Sequence, residues 1–445
     1  MRVTIVGAGD VGTGIIERLA GTHEVCVVDT DADRLEALET AQNVRTVEGD
    51  GRSLDVLAEA GIEAADILVA STDSDGANVM ICGAAKNRAD VDTIARVKRI
   101  ELYETWREAG DAFGIDRMLC VNRLTARNLV RATTLPGALA VDTFADGHAE
   151  MAEFAIDAEA PIATQTIEEA DRFASLTFAG IIRGEEVIVL TGETVVESGD
   201  RIVVIGSPSS VGRFARTLGG RSTLNAETEV VVAGGGQVGV ETARRFGDRG
   251  HRIRVIERGR ERASEVAAAL PEATVSEGDA TSATVLESEA VGDADIVVCT
   301  LGDDETNYLA SLLATQLGVS HAVSVVEAAE HVPLFEGAGI EVGARPRDIV
   351  AGEIAGIVLG ERADSVTLLE NDRAEVLEVT IDTDSVLAGE SLEDVANHLP
   401  DGFVVGAIVR GRAVTPPRGG TVIQTGDHVV ALLDSEVIDD VTPKL

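Results

Sequence analysis

The 445-residue chain repeats itself. Gly7, Gly9 and Gly12 of "MRVTIVGAGDVG" recur as Gly234, Gly236 and Gly239 of "EVVVAGGGQVG", at an offset of 227 residues. Late in each half, "GIIRGEEVIVLTGETVVESGDRIVVI" (180–205) recurs as "AIVRGRAVTPPRGGTVIQTGDHVVAL" (407–432) at the same offset, with Arg183-Gly184 on Arg410-Gly411 and Gly199-Asp200 on Gly426-Asp427. A single offset at both ends of a unit marks a duplication, with small compensating insertions and deletions between. The chain is therefore two copies of one module, and each module divides in two.

The first part of each copy alternates apolar strand runs with helical patterns. "RVTIVGA", "HEVCVVD", "VRTVEGD", "ADILVAST" and "VDTIARV" read as buried strands, spaced by "DVGTGIIERLAG", "DADRLEALETA", "SLDVLAEAG" and "DGANVMICGAAKNR" as helices. The second copy repeats the order with "EVVVAGG", "HRIRVIE", "ATVSEGD", "ADIVVCT" and "SHAVSVV". Continuous apolar strands separated by helices predict α/β architecture with a doubly wound parallel, Rossmann-like sheet. The second part of each copy reads differently. Residues 149–158, 201–206, 375–382 and 428–433 read as strands, with Gly-rich turns ("IRGEE", "VRGRA") and short helices ("TIEEADRFA", "SLEDVANHL"). This predicts a small α+β domain with an antiparallel sheet. Helical stretches at "VNRLTARNLVRATT" and "RPRDIVAGEIAGIVLG" lie between the two kinds of domain, and 220–228 is the most linker-like segment.

Composition narrows the function. At 45% hydrophobic residues the chain has enough apolar surface for a core without disulfides. No apolar run approaches the ~18–20 residues of a membrane span, and the first residues lack the basic, apolar and small-residue zones of a signal peptide, so a cytoplasmic protein is expected. Cys26, Cys82, Cys120 and Cys299 are far apart in sequence and read as buried structural thiols. The net charge of −40 repels nucleic acid and anionic lipid. Spread along the whole chain, it resembles proteins that work in molar salt, where the screening length falls to ~3 Å.

The glycine turns carry the chemistry. Each sits between an apolar strand and an amphipathic helix, the setting that gives Gly-x-Gly-x-x-Gly its meaning. Gly7 permits the tight turn, Gly9 admits a diphosphate and Gly12 lets helix pack on strand, while the backbone at Asp10 and Val11 opens the helix toward phosphate. Asp29 ends the second strand 20 residues after Gly9, where an acid holds ribose hydroxyls. In the second copy Gly234, Gly236, Gln237, Val238 and Gly239 form the turn and Glu257 takes the acidic place, with Arg258 following. Asp50 and Asp279 follow the third strands, where they would accept from an adenine amino group. Thr72 and Asp73, and Thr300 with Asp303, follow the fourth strands at the ligand-binding edge of the sheet. Asp73 and Asp303 also suit helix caps, and the sequence does not choose.

Catalytic equipment is missing. Residues 149–220 contain no His, Lys, Tyr or Cys, and the corresponding stretch of the second copy holds only His398, His428 and Lys444. Nothing matches a nucleophile elbow, a zinc-ligand spacing or a Walker lysine. A dehydrogenase needs a proton donor and groups that orient its substrate. A duplicated nucleotide fold without them reads as a sensor rather than an enzyme. The competing readings are an NAD-dependent oxidoreductase and a regulator of a different channel or transporter.

Taken together, "IVGAGDVG", "VVD", "EGDG", "LVASTDSDGANV", "IARV" and the repeated "GDR/GDH" resemble the TrkA family, regulatory subunits of Trk potassium uptake systems built from tandem RCK modules, over essentially the whole chain. The resemblance implies RCK N-domains at 1–121 and 228–344, crossover helices at 122–137 and 345–360 that pair neighbouring modules, and RCK C-domains at 138–222 and 363–445. It implies NAD(H) or ATP/ADP as ligands and a ring of eight modules. It places that ring at the inner face of the membrane, gating a TrkH-like potassium transporter subunit. It also puts Arg96, and Lys98 beside it, near the ligand phosphates, a place where the second copy has Ser324 nearby and no arginine. Both cations equally suit a solvated strand end. In the second C-domain Asp382 and Asp384 would suit a cation or, more simply, a solvated turn.

Overall fold

Strand β1 (Arg2–Val6) buries Val3 through Val6 without alternation, as a strand covered by helices on both faces must. In the computed structural model it lies at the centre of a parallel sheet. The structure describes residues 1–434 apart from 43, 136–137, 185, 189, 219–227, 360–364, 369–373, 384 and 396–401. The remaining strands of this first sheet are β2 (Glu24–Asp29), β3 (Arg45–Glu48), β4 (Ile67–Ala70), β5 (Asp92–Val97) and β6 (Arg117–Cys120). Their order, β3-β2-β1-β4-β5-β6, is that of a dinucleotide-binding doubly wound fold, with the reversal at β1. Helices α1 (Asp10–Leu19), α2 (Ala32–Gln42), α3 (Leu54–Glu59), α4 (Asp75–Arg88) and α5 (Ile100–Ala109) make the connections, and α6 (Val121–Thr134) follows β6.

The small domain that follows has β7 (Ala138–Phe144), β8 (Ala149–Ala155), β9 (Leu176–Arg183), β10 (Glu186–Ile188) and β11 (Arg201–Gly206), with helices α7 (Ile167–Ala170) and α8 (Pro208–Thr217). Its sheet is antiparallel, in the order β10-β9-β11-β8-β7. The repeated Arg-Gly and Gly-Asp pairs are explained here. Arg183 grips the buried Asp200 with Nε and Nη2 at 2.7 and 2.8 Å, a bidentate fork that pins the end of β9 to the start of β11.

The second copy repeats both domains. Its parallel sheet consists of β12 (Glu229–Ala233), β13 (Arg252–Glu257), β14 (Thr274–Glu277), β15 (Ile296–Cys299), β16 (His321–Val325) and β17 (Glu341–Ala344), ordered β14-β13-β12-β15-β16-β17. Its helices are α9 (Gln237–Gly247), α10 (Arg260–Ala269), α11 (Ala283–Ser288), α12 (Asp304–Leu317), α13 (Val332–Gly337) and α14 (Pro346–Leu359). The last domain has β18 (Ser365–Leu368), β19 (Ala374–Thr380), α15 (Leu392–Val395), β20 (Phe403–Arg410), β21 (Ala413–Thr415) and β22 (His428–Asp434), ordered β18-β19-β22-β20-β21. Arg410 grips Asp427 at 2.7 Å through both Nε and Nη2. Most of the segment expected to be a linker, 220–228, lies outside the described residues.

Two compact units result, one of Met1–Thr133 with Leu224–Ala355 and one of Thr134–Thr223 with Gly356–Leu445. Within the first, the two parallel-sheet domains exchange helices. Leu129 and Val130 of α6 belong to the core of the second sheet, beside Val230, Val232 and Phe246. Helix α14 runs against α1, so close that a Cβ on Gly14 would stand 3.1 Å from the Ala351 Cβ. Arg127 of α6 and Glu353 of α14 pair at 2.8 Å. Within the second unit both antiparallel sheets share one core, in which Met151, Val203 and Ile205 meet Val376, Val409 and Val430.

All four cysteines are buried and free. Burial pushes the Cys299 thiol up to about 12, and burial raises Cys82, Cys26 and Cys120 as well. The thiolate is the nucleophile, so the folded chain should leave all four unreacted toward a colorimetric disulfide reagent at pH 8. Denatured chain should react at every one; stoichiometric modification of native protein would contradict the burial. Steric constraint gives a second expectation. A Cβ on Gly12 would lie 1.8 Å from the Gly7 carbonyl oxygen, whereas one on Gly21 meets nothing within 4 Å. Gly12→Ala should lower the unfolding free energy by about 3 kcal/mol and Gly21→Ala by no more than about 0.5 kcal/mol, read from denaturant midpoints.

Candidate nucleotide-binding site

The first glycine turn leaves β1 where the strand order reverses. Gly7 has φ +109°, and a Cβ there would be 2.9 Å from the Thr72 nitrogen, so only glycine fits. Gly9 is the N-cap of α1 and no side chain caps it. A Cβ on Gly9 would meet only Arg34 Nη1, at 3.8 Å. The first-turn amides of a helix have no intrahelical acceptor, and here Gly9, Asp10 and Val11 line a cavity of about 810 Å³. Gly7, Asp29, Asp50, Thr72, Asp73 and Arg96 line the same cavity, so nine first-copy residues singled out in the sequence come together. Gly12 stands behind them, packed on the turn.

Each side chain has a definite partner. Asp29 Oδ2 accepts from the Ala8 amide at 2.6 Å and Oδ1 from the Asp31 amide at 2.9 Å, which ties the turn to the end of β2. Asp50 accepts from Arg52 Nε at 2.9 Å. The hydrogen bonds from Arg52 hold its carboxyl down at about 2, so it faces any ligand as a paired carboxylate. Asn78, which follows the fourth strand beside Thr72 and Asp73, is fully buried. Its Oδ1 accepts from the Thr72 amide at 2.9 Å, and its Nδ2 donates to the carbonyls of Thr72 and Arg96 at 2.9 and 2.8 Å. It clamps the ends of β4 and β5 together.

Arg96 is buried, with Nη1 3.0 Å from the Thr72 carbonyl and 3.6 Å from Asp73 Oδ1. Its Nε is buried without a hydrogen-bond partner. Desolvation lowers its pKa, with Asp73 opposing. Lys98 Nζ reaches the same Asp73 carboxylate at 3.7 Å. The choice the sequence left open for the two aspartates resolves differently in each copy. Ser74 caps α4 and Asp73 faces the cations, whereas Asp303 does cap α12, accepting from the Thr306 amide at 2.8 Å.

The second copy has the same turn with different surroundings. Gly234 has φ +108°, and a Cβ on Gly239 would lie 1.9 Å from the Gly234 carbonyl oxygen. A Cβ on Gly236 would meet nothing within 4 Å. Glu257 accepts from the Gly235 and Gly259 amides at 2.8 and 2.7 Å, the place of Asp29, and Asp279 accepts from the Thr281 amide at 2.9 Å. Asn307 repeats the clamp, accepting from the Leu301 amide at 2.7 Å and donating to Val325 O at 3.1 Å. This register corrects one sequence match and sharpens another. Leu301 stands for Thr72, and Thr300 for Ser71, since each hydroxyl donates to the carbonyl of its first turn glycine at 3.3 Å. Val325, rather than Ser324, stands for Arg96. Asp75 and Asp304 extend the match: they accept from the amides of Lys98 and Arg99, and of Glu327 and Ala328. Glu327 therefore replaces Lys98.

Val238 and Thr300 of the second copy line the first-copy cavity. Gln237 turns toward the first copy as well. Its Oε1 accepts from Asn122 Nδ2 at 3.0 Å, and its Nε2 donates to the Glu101 carboxylate at 3.0 Å. In the last domain Asp382 accepts from the Ser385 amide at 2.8 Å, while Asp384 and His398 lie outside the described residues. Among the described residues no group of His, Cys, Asp and Glu is arranged to hold a metal ion, and no helix is long and apolar enough to cross a membrane.

Residues 3–119 and 230–346 match the TrkA-N domain, and 151–219 and 376–445 the TrkA-C domain. A Trk system potassium uptake protein TrkA homolog 1 of Methanosarcina mazei is 30% identical over 438 residues, covering 97% of this chain and 96% of that protein. The Trk system potassium uptake protein TrkA of Halomonas elongata is 31% identical over 452 residues, covering 99% and 98%. Among solved structures, a GsuK channel bound to NAD superposes with a TM-score of 0.61 at 20% identity, over 99% of this chain and 79% of that one.

One contact on the second-copy loop joins a histidine to a carboxylate. His331 Nδ1 lies 2.8 Å from Asp304 Oδ2. The hydrogen bond His331 donates to the Asp304 carboxylate raises the His331 pKa, and burial opposes it. Burial pushes the Asp304 carboxyl up, but two backbone amides and His331 bring it below its ordinary value. A raised histidine stabilises fully below its unfolded pKa of about 6.5 and loses that contribution as pH rises through the folded value. The depressed carboxylate loses its own only as pH falls below about 3.9. The gap in denaturant midpoint between wild type and His331→Ala should therefore be widest near pH ~6 and close toward pH ~9; a gap independent of pH would contradict the pairing.

Proposed function

Because the chain belongs to the TrkA family, we propose that it is the nucleotide-binding regulatory subunit of a potassium uptake system, reporting ligand occupancy through conformation and catalysing no reaction. The observation that carries this reading is the first-copy cavity, which gathers an open glycine turn, the acid at the end of β2 and a buried arginine with an unpaired Nε. An anionic group beside Arg96 would supply what that nitrogen lacks, since a buried donor without an acceptor is costly. NAD(H) and ATP/ADP are the ligand classes this arrangement suits: their diphosphate sits at the helix N-terminus and their ribose near Asp29. Assembly into a ring of eight modules, docked on the inner face of the membrane against a TrkH-like transporter subunit, completes the proposal.

A ligand shifts a conformational equilibrium only by binding its two states differently. ATP and ADP share every adenosine contact and differ at the terminal phosphate, so discrimination belongs to Arg96 and Lys98 rather than Asp29. Titration calorimetry in molar KCl tests this. Asp29→Ala should weaken ATP, ADP and NADH together by about tenfold, the loss of a charge-assisted hydrogen bond. Arg96→Gln should bring the ATP and ADP affinities together; a preserved ratio would remove Arg96 from this role. Multiple turnovers of NADH with any carbonyl compound would establish an oxidoreductase instead.

A further inference from the structure

On the reading that the first-copy cleft holds a nucleotide, we propose that Arg347 of the second copy is a phosphate contact of that nucleotide, so that a single ligand is read by both copies. Arg347 is the second residue of α14 and lines the same cavity as Gly9, Val11, Arg96 and Lys98. Its Nη1 lies 2.7 Å from Asp10 Oδ2 of the first copy, and its Nε 3.6 Å from Glu327 Oε2. The arginine side chain is 47% exposed and its partners 66% and 49%. Ion pairs this exposed are weak, so either is readily exchanged for a better anion.

Asp10 is the reason a cation is needed. It is the first residue of α1, the helix whose amides would take the diphosphate. A carboxylate there repels the ligand. The cavity lining carries five acidic and five basic side chains, balanced within a chain of net charge −40. Removing Arg347 tips that balance against any anion. A phosphate brings more charge than Asp10 and oxygens spaced for a guanidinium fork. On binding, Arg347 swings from Asp10 to the ligand, and the start of α14 follows the phosphate charge.

The reciprocal contact is built without charge: Asn122, the second residue of α6, donates from Nδ2 to Gln237 Oε1 at 3.0 Å. Arg123, near the start of α6, is drawn to Glu104 at 2.6 Å and lies over the Tyr103 ring at 4.5 Å. Gln237 takes the place of Asp10, held by Asn122 and Glu101, and Val325 and Glu327 replace Arg96 and Lys98. Charge reading is confined to the first cleft, with the second copy supplying one of its cations.

Full-length wild type, Arg347→Gln and Asp10→Asn, titrated with ATP and with adenosine in molar KCl, test the assignment. Arg347→Gln should weaken ATP by about 10–100-fold, the range for a lost charged hydrogen bond, and leave adenosine within about twofold. Asp10→Asn, which frees Arg347, should tighten ATP, and it answers the question even if the arginine variant does not fold. Unchanged ATP affinity in Arg347→Gln, equal losses for ATP and adenosine, or no gain in Asp10→Asn would overturn the assignment while nucleotide binding itself stands. Wild type that binds neither ATP, ADP nor NADH would overturn the nucleotide reading, and this one with it.

Discussion

Gly12 has room for a hydrogen and nothing larger. That clearance seats α1 directly on the turn after β1, and the seat fixes where the first-turn amides lie. The positive φ of Gly7 swings the chain across the sheet edge at the strand reversal, and Asp29 ties the next residue to β2. Asn78 then locks β4 to β5 on the other side. The cleft is thus bounded by backbone held through short contacts, while the side chains that differ between copies stand at its rim. The same close approach to a turn carbonyl oxygen recurs at Gly239, where a Cβ would lie 1.9 Å away, so both copies keep the seat.

With the scaffold held constant, the copies differ in charge. The first offers Arg96, Lys98 and Asp73 at the far end of the cleft. The second offers Val325, Glu327 and Gly302 at the matching positions. Arg262 Nε also donates to the Gly235 carbonyl at 2.7 Å, bracing the second turn from outside. The two copies thus share one shape and differ in the charge they present to the cleft. Differential contacts of this kind are what a regulatory pair requires, because two identical responses would carry no more information than one.

Much of this was legible in the residues. The glycine turns, the first five strands of each parallel sheet and the acids that end β2 and β13 follow from apolar runs and from spacing tied to a steric need. Strands β6 and β17 do not stand out as apolar runs: "RMLC" opens on an exposed arginine, and "EVGA" has only one buried position. Asn78 was visible as a letter but not as a clamp: an asparagine that bonds three backbone groups shows no periodicity. Thr300 was matched to the wrong partner because a hydroxyl at the end of a strand looks the same whether it belongs to Ser71 or Thr72. Arg347 was beyond reach, since its partner Asp10 lies at the other end of the unit and only the helix exchange brings them together.

That exchange has a consequence for how the chain is made. The first parallel-sheet domain emerges from the ribosome long before α14 exists, and the second cannot close its core without α6. Contacts this remote in sequence slow folding, because loop-closure entropy is spent before they return anything. The unit matures as a mutual clasp, finished only when the later half arrives. A truncated half-chain would leave an apolar helix face bare, and the pair must be inherited and lost together.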